Sequence, residues 1–162
     1  MEHAEIVALP FVDEQTALVD AEPDVVWRAL GDVLEGSWGR WGRVVRLLGC
    51  ADVTASGPRP LAEGSALRGF RVAVADPGRE LTLVGRHRFA SYALVFRLEA
   101  FGPEVTRVRA VTRARFPGPA GAVYRWFVIG SGGHAVVVRR MLSTVRTRAP
   151  EGARGTARPG RG

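Results

Sequence analysis

The chain has 162 residues, 46% of them apolar, a net charge of +7 and a single cysteine, Cys50. That length suits one domain with its own core, needing neither disulfides nor a structural metal. No apolar run approaches the ~20 residues that a membrane helix requires. All 23 basic side chains are arginine, with no lysine and no asparagine anywhere. This reads as base composition rather than selection for phosphate contacts, and it argues against a nucleic-acid binder despite the charge.

The opening "MEHAEIVALPFVDEQ" has no basic n-region, so no signal peptide is expected and the chain is assigned to the cytoplasm. Residues 1–12 are read as an N-terminal extension, 13–148 as the domain and 149–162 as a disordered Gly/Pro/Arg tail. The first strand is expected at 15–20, "QTALVD". In "AEPDVVWRALGDVL", Pro23 suits the first helical position and Val26, Leu30 and Val33 share one face, so a short amphipathic helix follows. Trp38, Trp41, Val45 and Leu48 recur at helical spacing, which predicts a second helix ended by Gly49. Its Trp38 and Trp41, alternating with Arg40 and Arg43, either cap the core or touch a partner or membrane surface.

From Asp52 to Phe116 the period becomes two. Phe70, Val72 and Val74 share a face; so do Leu81, Leu83, Gly85, His87 and Phe89. After a turn near Ala90-Ser91, Tyr92, Leu94, Phe96 and Leu98 continue that face. Val108, Ala110, Thr112, Ala114 and Phe116 complete it, while Arg107, Arg109, Arg113 and Arg115 point the other way. The pattern predicts an antiparallel meander with one apolar face and one face in water. The arginine stripe is then a solvated surface, or a docking site for an acidic partner such as a carrier domain.

Beyond "PGP" the period is helical again, with Val123, Trp126 or Phe127, Gly130, His134, Val137, Met141 and Val145 spaced by threes and fours. The stripe keeps its phase through "GSGGH", which favours one long, weakened helix over 120–147. A helix break capped by Ser131 stays open beside it. A phosphate loop does not fit, since no strand directly precedes the glycines and no lysine follows. An apolar sheet face and a long helix with a matching stripe must cover each other. A curved sheet wrapped round such a helix leaves a hollow.

"VDAEPDVVWRALGD" (19–32) and "GFRV…RELTLVGRHRFASYALVFRLE" resemble the SRPBCC superfamily, the START-like or helix-grip proteins. The likeness covers about residues 13–148 and is nearest to bacterial members labelled polyketide cyclase/dehydrase and lipid-transport proteins. It implies an α+β helix-grip fold: a curved antiparallel sheet of about six to seven strands around a long C-terminal helix, with two short helices after the first strand. It implies a cavity for a lipid, polyketide or similar apolar metabolite. The alternative is a cofactor-independent cyclase/aromatase or dehydratase, and a third is an interaction module using the basic face. Fold alone does not choose among them.

The residues that would serve such a cavity follow from the predicted faces. His134, His87 and Tyr92 are the candidates for proton transfer and carbonyl polarisation; the plainer alternative is core histidines bonded to neighbours. The expected ligand wall is Arg68, Phe70, Val72, Leu83, Gly85, Phe89, Leu94, Phe96, Ala110 and Thr112 from the sheet side. From the helix it takes Trp126, Phe127, Gly130, Gly133, Val137 and Met141. Arg68 meets an acidic head group or lies at the sheet rim with its stem packed and its head in water. Two histidines without a third anionic ligand make a poor zinc site, and no cofactor fingerprint is present; neither metal nor cofactor is expected. The expected partner is a small hydrophobic molecule, with an acidic carrier protein and a homodimer as further candidates and no integral membrane association.

Overall fold

A computed structural model describes residues 3–37 and 46–156 of the chain. Strands β1 (Phe11–Val19), β2 (Ala66–Leu67), β3 (Phe70–Asp76), β4 (Glu80–His87), β5 (Ala90–Gly102) and β6 (Val105–Arg115) form one antiparallel sheet in the order β1-β6-β5-β4-β3-β2. Helices are α1 (His3–Val7), α2 (Pro23–Ser37), α3 (Gly118–Arg125) and α4 (Gly133–Thr156), with a π-helical turn over Trp126–Gly130. This is the expected α+β helix-grip arrangement, with six strands curved about a C-terminal helix. Most of the predicted second helix, with Trp38 and Trp41, lies outside the described residues.

The core is built as the periodicities require. Strands β4 to β6 alternate, so Leu81, Leu83, Phe96, Leu98, Val108 and Ala110 all face inward and are buried. Helix α2 brings Val26, Leu30, Val33 and Leu34, and α4 brings Val138, Met141, Leu142, Val145 and Ala149. Burying each large apolar side chain is worth about 1.5–3 kcal/mol, which is what holds two helices against one sheet face.

Four expectations change. The first strand starts at Phe11 rather than 15, because its inner positions extend back through Gln15 to Asp13 by alternation with Ala17 and Val19. A bulge between Val72 and Val74 shifts the phase of β3, so Ala75 rather than Val74 joins the core. The turn before β5 sits at Arg88-Phe89, closed by His87 opposite Ala90. Helix α4 runs on to Thr156, where a disordered tail from 149 was expected; Ala149 is buried on the same stripe and keeps the helix docked.

The outer sheet face also differs from the solvated surface expected. Helix α1 and the turn after it, in the segment read as an extension, lay Ile6 and Leu9 onto Val84, Ala93 and Val95. Arg113 donates to the carbonyls of Val7 (3.1 Å) and Leu9 (2.9 Å), and Arg115 to that of Ala8 (3.4 Å). Arg109 grips both oxygens of Glu14 at 2.9 Å, which holds that carboxyl below its ordinary pKa, and Arg107 lies 3.5 Å from Glu99. The four arginines are thus engaged by their own chain, Arg107 and Arg109 with carboxylates and Arg113 and Arg115 with backbone carbonyls.

Candidate functional site

At one end of the sheet the core gives way to a cavity of about 500 Å³. The reason is side-chain size. Where Phe96, Leu81 and Leu83 meet α4 and α2, the interior is filled. Toward the β4–β5 turn and the end of β6 the inner positions become Ala90, Thr112 and Ala114, and α4 begins with Gly133. Small residues on both walls leave space that larger ones would close.

The helix break decides what covers this space. Gly132 has φ +72°, a left-handed conformation open to glycine. Ser131 Oγ accepts the Gly133 N–H at 3.3 Å and donates to the Phe127 carbonyl. The single long helix over 120–147 is therefore corrected to two helices, with Ser131 bracing the junction. The π turn before it admits an extra residue per turn and so rotates the apolar face. Phe127, Val128 and Ile129 line the cavity, whereas Trp126 is 69% exposed. Gly130 faces outward too, where an added Cβ would meet the Trp126 ring at 3.4 Å. Neither supplies the cavity wall expected of it.

Of the other expected wall residues, Arg68, Phe70, Leu94, Thr112, Phe127, Gly133, Val137 and Met141 line the cavity. Val72, Leu83, Phe96 and Ala110 do not: they are buried in the packed part of the core. Phe89 stacks on Tyr124 with ring centroids 5.6 Å apart and supports the wall from behind. Gly85 lies directly opposite Tyr92, whose ring covers it, and an added Cβ would run into that ring and the Gly69 carbonyl. Sequence reasoning missed Cys50, Phe116 and Tyr124 as wall residues, and Asp13 behind the wall. Phe116 was legible, since it shares a face with Thr112.

His134, His87 and Tyr92 are brought to one cavity. His87 Nδ1 accepts the Phe89 N–H at 3.1 Å, so in the neutral ring its proton sits on Nε2. Its ring packs edge-on to Tyr124 at 4.8 Å. Tyr92 donates its hydroxyl proton to the Gly69 carbonyl at 2.7 Å, so that proton is already committed to the backbone. Burial pushes the Tyr92 phenol far above its ordinary pKa. The Cys50 thiol, 4.0 Å from that hydroxyl, is likewise pushed up by burial and is a poor nucleophile. His134 Nε2 lies 2.8 Å from Thr112 Oγ1 and 3.7 Å from Asp13 Oδ1. Among the described residues no group of three or more His, Cys, Asp or Glu is placed to hold a metal ion, and no helix is long and apolar enough to cross a membrane.

Burial lowers the pKa of both histidines, opposed at His134 by the Asp13 charge. Both are therefore neutral near pH 7. The unfolded chain binds protons at these sites from about pH 6.5 downward, before the folded chain does. Stability is retained above that value and falls as pH drops toward the folded pKa values. Urea midpoints measured between pH 7.5 and 5 should fall with acidification, and the double variant His87→Gln, His134→Gln should flatten the slope. An unchanged slope would remove both histidines from the account.

No protein-family model and no curated protein matches the sequence. Solved structures do match in fold. A conserved protein from Geobacillus kaustophilus aligns with a TM-score of 0.57 at 13% identity, over 85% of this chain and 94% of its own. The Zhui aromatase/cyclase from Streptomyces sp. R1128 aligns with a TM-score of 0.57 at 16% identity, over 90% and 96%. A protein from Thermobifida fusca aligns at 0.54 with 19% identity, over 85% and 92%. At these identities the likeness is one of fold.

Proposed function

We propose that this helix-grip chain binds one small, largely apolar molecule between its sheet and its C-terminal helix. The observation that carries this reading is the cavity of about 500 Å³, walled mainly by aliphatic and aromatic side chains with a few polar groups at fixed places. That is the usual construction of a small-molecule site. Folding leaves apolar surface facing an unfilled space, and a ligand that removes it from water gains about 25 cal/mol per Å². Arg68 on the same wall favours a ligand with a polar or acidic end. Titration with the apolar fluorophore N-phenyl-1-naphthylamine should give saturable, blue-shifted emission at one probe per chain, with micromolar affinity. Emission that rises without saturating would contradict an internal site.

A second reading, cofactor-independent cyclisation or dehydration, is favoured by the two neutral imidazoles that share this cavity. The same fold in an aromatase/cyclase supports it. The two readings part on the recovered compound. A carrier returns it unchanged; a cyclase returns an isomer of equal mass and different chromatographic retention, and a dehydrating enzyme returns a product lighter by one water.

A further inference from the structure

Among the described residues one buried side-chain polar atom has no hydrogen bond: Oδ1 of Asp13. Such orphans are rare in native folds and call for an explanation. Strand pairing put this one in place. Asp13 lies directly opposite Thr112, on the inner face shared with Ala17 and Val19. From there Oδ1 faces His134 Nε2 at 3.7 Å, while Thr112 Oγ1 reaches the same nitrogen at 2.8 Å. Three elements, β1, β6 and α4, meet on one ring nitrogen.

A neutral imidazole has one N–H and one lone pair, and an ionised carboxylate accepts only. A lone pair on Nε2 would face the carboxylate oxygen and be repelled. A proton on Nε2 is attracted to it and is accepted by Thr112 Oγ1. We propose that Asp13 is a positioning residue that holds His134 as the Nε2–H tautomer, leaving the Nδ1 lone pair as a hydrogen-bond acceptor and base for the cavity. Nδ1 has no partner among the described residues, and His134 stands on the cavity wall. The orphan oxygen is then a fixed negative charge that orients a ring rather than a failed hydrogen bond.

His87 is the same Nε2–H tautomer, but its occupied nitrogen is the other one. The Phe89 N–H occupies its Nδ1, so its proton is on Nε2. The cavity thus has an acceptor on its helix wall and a donor on its sheet wall. The matching ligand presents a hydrogen-bond donor toward His134 and an acceptor toward His87. This step rests on the ligand-binding reading, but the tautomer itself belongs to the free protein.

The test is long-range proton–nitrogen NMR on ligand-free protein labelled with ¹⁵N-histidine. The wild type should show His134 predominantly protonated at Nε2. Asp13→Asn can turn an amide donor toward Nε2, so His134 should switch to predominantly Nδ1–H. Its pKa should fall further below the ordinary histidine value, because the one charge that raises it is gone. Thr112→Val should lose the 2.8 Å partner yet keep the Nε2–H tautomer, since Asp13 remains. A wild-type Nδ1–H tautomer overturns the proposal, as does an Asp13→Asn variant with unchanged tautomer and pKa. If Asp13→Asn does not fold, the wild-type and Thr112→Val spectra still decide. A protein that binds no apolar probe but shows these spectra would fail the ligand reading and keep this one.

Discussion

Replacing Ala114 with Trp weakens binding of N-phenyl-1-naphthylamine on the order of a hundredfold, about 2.7 kcal/mol, while the chain stays folded. Ala114 is 5% exposed, lines the cavity and pairs across the sheet with Tyr92. An indole at this position projects into the space that the ligand needs. The cost to folding is small because the new side chain enters an existing void and gains contacts there, unlike a residue forced into a filled core. Thr16→Trp, on the exposed side of β1, is the control and should bind the probe as the wild type does. Fluorescence titration with a parallel urea melt checks both halves. Full binding in Ala114→Trp would mean that the probe sits elsewhere.

Gly85→Ala should lower stability by about 3 kcal/mol and disturb the cavity wall with it. A glycine in a strand interior marks a close approach, and here two groups lean on it. The Tyr92 ring lies across the missing side chain, and the Gly69 carbonyl comes in from the loop ahead of β3. Tyr92 and Gly69 are themselves joined by a 2.7 Å hydrogen bond. A methyl group at Gly85 meets both at once. The tyrosine can swing only by giving up that bond and its edge contact with Phe70; the carbonyl is backbone and yields little. Urea unfolding measures the cost, and probe titration at low temperature reads the loss of the wall. A variant as stable as the wild type would show that Tyr92 does not rest on this glycine.

Gly85 also shows how far the sequence could be read. Alternation placed it on the inner face beside Leu83 and His87, and it does lie there. Whether an inward glycine opens space or is covered by a neighbour depends on the strand opposite, and pairing register is not carried by one strand's pattern. The same limit explains Val72, Leu83, Phe96 and Ala110. All four face inward as expected, but alternation gives the face of a residue, not the end of the sheet that stays hollow. That end is set by small residues coming together from β5, β6 and α4.

The C-terminal helix was misread for a different reason. Apolar residues spaced by threes and fours satisfy an α-helix, a π turn and a broken pair of helices alike. The positive φ of Gly132 is invisible to such a stripe, although the Ser131-Gly132-Gly133 run was its chemical signature. Asp13 was missed because the first strand was started at Gln15, four residues too late. Continued backward, the alternation through Ala17 and Gln15 reaches it. Helix α1 was missed because residues 1–12 were read as an extension, whereas Ile6 and Leu9 find Val84, Ala93 and Val95 across the sheet, partners distant in sequence.

The central claim is that the cavity holds an apolar small molecule. Native mass spectrometry of protein purified under mild conditions tests it most directly. A population of chains should each carry one non-covalent apolar compound, lost on denaturation and absent from Ala114→Trp. Chains that appear only at their own mass, in a protein that also shows no saturable probe binding, would contradict it.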